Sequence, residues 1–119
     1  MAAGVGSRLR PITDACPKAL LPVLSVPCAQ FIVDFCGHFG ISELVFNSHH
    51  LAKDLEPGLR RLDFTGKSLR VSDESKQLLG SLGGVVTALP LLGDEPFLRV
   101  NADRILDFNL HPLIARHFE

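Results

Sequence analysis

The spacing of hydrophobic positions changes along the chain, and each change predicts an element. Phe31, Ile32, Phe35, Cys36 and Phe39 recur at three and four, which predicts an amphipathic helix over 28–39, stopped by Gly40. Glu43 to Asn47 (ELVFN) reads as a short strand. Residues 50–61 are helical in pattern but carry Pro57, which predicts a break there. Leu69 to Ser72 alternates as a second strand, and 82–92 reads as a helix that opens on glycines and is limited by Pro90. Phe97 to Asn101 predicts a third strand, nearly continuous in apolar character as in a sheet covered on both faces. A last helix is expected over 110–118. Residues 9–27 instead hold Pro11, Pro17, Pro22 and Pro27 and read as a long ordered loop with one helical turn. This alternation predicts an α/β fold with a mostly parallel sheet and right-handed crossovers. No repeat, linker or low-complexity segment interrupts it, so 1–119 reads as a single domain or part of one.

Composition narrows the classes. Hydrophobic residues make up 46% and charged residues 21% of the 119, enough apolar material for a core and too little charge for a disordered tail. Twelve Lys and Arg against thirteen Asp and Glu leave a net charge of −1, which argues against a general nucleic-acid binder. Trp and Tyr are absent, which makes a surface that stacks bases along a single strand unexpected. No apolar run approaches the ~20 residues that span a bilayer, and no signal peptide is visible. Membrane attachment is therefore not expected. Cys16, Cys28 and Cys36 are an odd count, read as reduced thiols in a cytoplasmic protein.

The most informative stretch is Gly4-Val5-Gly6-Ser7-Arg8-Leu9-Arg10-Pro11. Glycines let a backbone approach a phosphate closely with its N–H groups aimed at it, and arginines add charged donors suited to phosphate oxygens. The segment is not a Walker A loop, since no Gly-Lys-Ser/Thr follows. It is not the dinucleotide G-x-G-x-x-G either, because Leu9 stands where the third glycine belongs. A phosphate loop usually follows a buried strand, yet only Met1, Ala2 and Ala3 precede Gly4, and the chain stops in a helical pattern. The expectation is a fold truncated at both ends. His49-His50 reads as structural, because adjacent histidines diverge and no third ligand sits at zinc spacing. Asp73-Glu74 reads as a solvated turn pair, and the Phe31, Phe35, Phe39 stripe as core.

The run AAGVGSRLRPITDACPKALLPV resembles the signature of sugar-phosphate nucleotidyltransferases (nucleotide-sugar pyrophosphorylases): L-A-A-G-x-G-T-R-L-x-P-x-T, then P-K-P/A-L-x-P-V. FNSHHLA (46–52) and GDEPFLRVNAD (93–103) fit later segments in the expected order. The chain is similar to the bacterial branch that includes N-acetylmuramate-1-phosphate uridylyltransferase and mannose-1-phosphate guanylyltransferase-like proteins. The resemblance implies a three-layer, Rossmann-like fold, of which 1–119 is the N-terminal nucleotide-binding part. It implies transfer of a nucleotidyl group from a nucleoside triphosphate to a sugar-1-phosphate, with Mg²⁺ as cofactor. Ala3, Gly4, Gly6, Ser7 and Gly83 would then hold the nucleotide, with Ser7 in the family's Thr position. Arg8 would grip the β- and γ-phosphates, Lys18 would neutralise charge near the α-phosphate, and Asp103 would hold the metal. Leu82 departs from the family's glycine-rich second loop, and the second metal-binding Asp and most of the sugar pocket belong to a C-terminal half that these residues do not include. The rival reading is a non-catalytic nucleotide-binding or regulatory remnant of the same family. Self-association is expected as well, because a sheet without its first strand leaves backbone groups unpaired.

Overall fold

In the computed structural model, which describes residues 1–74 and 80–119, β-strands and helices alternate as the pattern predicts. The helical turn α1 (Ile12–Ala15) and a tight antiparallel pair, β1 (Pro22–Val23) with β2 (Val26–Pro27), lie in the proline-rich segment. Then follow α2 (Cys28–His38), β3 (Glu43–Ser48), α3 (Ala52–Leu59), β4 (Ser68–Asp73), α4 (Gly80–Leu92) and α5 (His111–Phe118). β3 and β4 pair in parallel from Glu43 opposite Ser68 to Ser48 opposite Asp73. Along β3, Leu44, Phe46, Asn47 and Ser48 are buried and Val45 is half-buried, so both of its faces are covered. Ala29 and Val33 on α2, Leu55 and Leu59 on α3, and Leu110 are completely buried and form the centre of the core.

The two prolines act differently from expectation. α3 continues through Pro57, whose missing N–H falls in the last turn, two residues before the helix ends at Leu59. α4 likewise runs past Pro90 to Leu92.

The strand expected over 97–101 does not form a ladder among the described residues. The Met1 amino group donates to the Val100 carbonyl at 2.6 Å, and the Ala102 N–H donates to the Met1 carbonyl at 2.9 Å, which is one step of a parallel ladder. Between β3 and residues 96–100 lies a cavity of about 680 Å³, walled by apolar side chains such as Ile32, Phe46, Leu98 and Leu110. Among the described residues the parallel sheet consists of β3 and β4, with one extended segment flanking it.

The core makes a direct prediction. Leu55→Ala removes a completely buried side chain and is expected to lower unfolding free energy by about 2–5 kcal/mol. Leu24→Ala, at a position 92% exposed, is expected to change it by less than about 0.5 kcal/mol. Urea titration of the two variants checks the contrast, and comparable losses would mean that the core lies elsewhere.

Candidate functional site

The glycine-rich segment and Asp103 wall one cleft of about 410 Å³. Asn47 also lines it, near the carboxyl end of β3, where open α/β sheets place their ligands.

The loop is shaped from behind. Gly6 adopts φ +66°, a conformation that glycine takes without steric cost, and a Cβ there would fall 2.8 Å from the Thr13 methyl. The Gly6 carbonyl accepts from the Leu9 N–H at 2.8 Å and from the Thr13 hydroxyl at 2.9 Å. Thr13 is completely buried, and its own carbonyl accepts from His50 Nε2 at 2.7 Å. At the other limb, Ala2 and Ala3 donate their N–H groups to Asn47 Oδ1 at 2.6 and 3.4 Å. Between these anchors, the backbone N–H groups of Gly4, Val5, Gly6, Ser7 and Arg8 meet no acceptor among the described residues. A run of unpaired amides in a concave turn is an anion-binding element.

Arg8 lies exposed on the short 3-10 turn Ser7–Leu9, lines the cleft, and makes no ion pair among the described residues. Arg10 differs: its Nε lies 3.1 Å from Asp14 on the next turn. Lys18 starts the 3-10 turn Lys18–Leu20 and reaches across the cleft to form an ion pair with Asp103. The cleft thus collects Ala3, Gly4, Gly6, Arg8, Lys18 and Asp103 of the residues expected from sequence. It does not collect Ser7, which is exposed on its turn, or Gly83, which lies inside α4; Gly80 of the same helix lines the cleft instead. Residues 75–79 lie outside the described residues, and of the second glycine-rich segment, 79–84, they include Leu79 alone.

Two sequence readings meet a clear outcome here. The adjacent histidines do diverge: His50 holds Thr13 and His49 Nδ1 donates to the Glu74 carbonyl at 2.7 Å. Glu74, expected in solvent, is 3% exposed, because its carboxylate accepts from Asn47 Nδ2 at 2.8 Å beneath the loop. Asn47 and Asn101 lie inside the motif segments FNSHHLA and GDEPFLRVNAD but were assigned no role, and Glu74 lies in neither. A further hint was the polar end of an otherwise apolar strand at Asn47-Ser48, since a buried polar residue needs a partner.

Asp103 is the carboxylate available to a cation. Among the described residues no group of three or more His, Cys, Asp and Glu gathers. A single carboxylate facing a phosphate cradle nevertheless fits Mg²⁺, which keeps several waters and takes one or two carboxylates plus substrate phosphates. Burial alone would raise the pKa of Asp103, but the hydrogen bond and charge of Lys18 outweigh it and hold the carboxyl below the usual range.

A family model described as Nucleotidyl transferase matches residues 1–119. The chain belongs to that family. It is 38% identical over 109 residues to the N-acetylmuramate alpha-1-phosphate uridylyltransferase of Neisseria meningitidis, covering 92% of this chain and 47% of the relative. Over 107 residues it is 36% identical to the enzyme of that name from Caulobacter vibrioides, covering 88% and 44%. A UTP--glucose-1-phosphate uridylyltransferase of Synechocystis is 29% identical over 129 residues, covering 100% and 33%. The fold matches that of an apo UDP-glucose pyrophosphorylase with a TM-score of 0.75 at 23% identity, over 87% of this chain and 45% of that one. The chain therefore spans less than half the length of these relatives.

The Lys18–Asp103 pair predicts how stability of the nucleotidyl transferase chain depends on pH. A carboxyl with a lowered folded pKa contributes stability that is present above its unfolded value and lost as pH falls through the folded one. Between about pH 5 and pH 3 the parent is expected to lose stability more steeply than Asp103→Asn. Urea midpoints across that range are the measurement, and parallel curves for the two proteins would contradict the pairing.

Proposed function

We propose that this chain binds the nucleotide in a transfer of the nucleotidyl group from a nucleoside triphosphate, UTP in the first instance, to a sugar-1-phosphate. The observation that carries the reading is the Gly4–Arg8 loop, whose amides meet no acceptor among the described residues and whose Gly4, Gly6 and Arg8 line the cleft, with the Arg8 side chain in no ion pair among the described residues. A phosphate oxygen of the sugar-1-phosphate forms a bond to the α-phosphorus, the bond from that phosphorus to the β-bridging oxygen breaks, and pyrophosphate leaves. No protein nucleophile is required, so the work is positioning and charge neutralisation.

In this reading the loop amides and Arg8 hold the β- and γ-phosphates and stabilise the departing pyrophosphate. Asp103 would hold Mg²⁺, which would supply neutralisation of phosphate charge. Lys18 places its ammonium at the α-phosphate and the incoming acceptor. Ser7 and Gly83 remain part of the proposal as loop and base-side positions. The choice of UTP rests on the names of the relatives.

Calorimetric titration of UTP with Mg²⁺, against GTP and ATP, tests the binding step. Pyrophosphate release with a panel of sugar-1-phosphates tests the chemistry. Saturable UTP binding with release that depends on a sugar-1-phosphate is the expected result. Binding without release would favour the non-catalytic reading. No binding of any triphosphate would overturn both.

The two arginines separate phosphate binding from loop order. Arg8→Ala is expected to weaken triphosphate binding about tenfold or more, since a charge-assisted contact is worth about 1.5–3 kcal/mol. Arg10→Ala removes an exposed pair with Asp14 and is expected to weaken it less than about threefold. Equal losses, or a larger one at Arg10, would reverse the assignment.

A further inference from the structure

We infer that Asn47 and Glu74 form a buried latch that divides the structural amides of the nucleotide loop from those offered to phosphate, with Asn47 as a positioning residue for the triphosphate. This rests on the nucleotide-binding reading of the cleft.

The hydrogen-bond chemistry settles which way the Asn47 amide faces. Backbone N–H groups only donate, so the side-chain oxygen must meet Ala2 and Ala3; a carboxylate only accepts, so the side-chain nitrogen must meet Glu74. Both residues are enclosed, Asn47 at 4% exposure and Glu74 at 3%. Glu74 is fixed by its own backbone, its N–H donating to the Ser48 carbonyl at 2.7 Å and its carbonyl accepting from His49. α4 closes over the pair at Gly84, where a Cβ would sit 2.7 Å from Glu74 Oε1 and 2.9 Å from Asn47 Nδ2.

The functional consequence comes from how a strand ends. In a parallel ladder the N–H groups along one strand point alternately to its two edges. Here two consecutive N–H groups, Ala2 and Ala3, converge on one side-chain oxygen. The backbone has therefore left strand geometry at Ala2, directly after the single ladder step made by Met1. The next five amides are left without an acceptor among the described residues. Asn47 thus sets where the extended segment stops and the cradle starts.

A polarity swap tests this. Asn47→Asp sets a carboxylate against the buried carboxylate of Glu74. Adding Glu74→Gln moves the donor to the opposite side and leaves an oxygen for Ala2 and Ala3. Amide exchange of segment 1–9 and calorimetric UTP binding are measured on the parent, Asn47→Asp, Glu74→Gln and the double variant. In Asn47→Asp, exchange in 1–9 is expected to rise and UTP affinity to fall, each about tenfold or more, while exchange in α2 stays as in the parent. The double variant is expected to return both to within about threefold. A single variant that does not fold, with a double variant that does, supports the latch equally. Unchanged exchange in the single variant, or a double variant no better than the single, overturns it. Should the parent bind no UTP, the nucleotide reading fails on its own, and the exchange rates still decide the latch.

Discussion

A cradle for phosphate must keep its amides unpaired, and a segment whose amides are unpaired has no ladder to hold it in place. In this chain, side chains from the end of β3 supply what the ladder would. Asn47 takes the N–H groups of Ala2 and Ala3, and His50 holds Thr13, whose hydroxyl holds the Gly6 carbonyl. Both limbs of the loop are thus tied to residues 47–50, which follow from one buried strand. These bonds match buried polar groups that would each cost about 1–3 kcal/mol if left without a partner; in the same network Glu74 Oε2 is buried with no hydrogen-bond partner among the described residues.

The charges in the cleft follow a related economy. Lys18 and Asp103 are 85 residues apart in sequence and pair directly, with side chains 35% and 25% exposed. At that exposure an ion pair adds only about 0–1 kcal/mol to stability. Its value is to hold a cation and an anion ready at a short distance, each with its partner supplied until a ligand replaces it. Arg8 has no such partner among the described residues, so in the proposed reading it would meet a phosphate without first breaking a bond. The contrast with Arg10, already engaged by Asp14, is what gives two neighbouring arginines different roles.

Local spacing made the helix from Cys28 and the parallel alternation legible, and the glycine-rich loop stood out as a contiguous motif. The roles expected of Arg8, Lys18 and Asp103 came from the family resemblance and stay part of the proposal. What was not legible is non-local. Glu74 looks like a solvated turn residue until β4 is set beside β3 and its carboxylate arrives at Asn47, 27 residues away in sequence. Residues 97–101 have a strand's composition, but a strand is a property of two partners, and among the described residues Met1 is the partner that bonds this segment. Pro57 and Pro90 mislead for the opposite reason: a lost N–H near the end of a helix costs one bond and does not dictate a break.

Met1 also links the two halves of the cleft. Its amino group and carbonyl bond Val100 and Ala102, and Ala102 is 1% exposed and adjacent to Asp103. Two residues later in the chain, Ala3 is already bound to Asn47 and the cradle begins at Gly4. The Asp103 carboxylate and the amides of the Gly4–Arg8 loop are therefore placed by one short extended segment, held on one side by backbone bonds and on the other by a carboxamide. A shift of that segment along its axis would move the amides and release Asp103 from its register at once. Because in-line transfer depends on the relative positions of those groups, the constraint that matters is the register of residues 1–3 between β3 and 100–102, more than the conformation of either wall of the cleft alone.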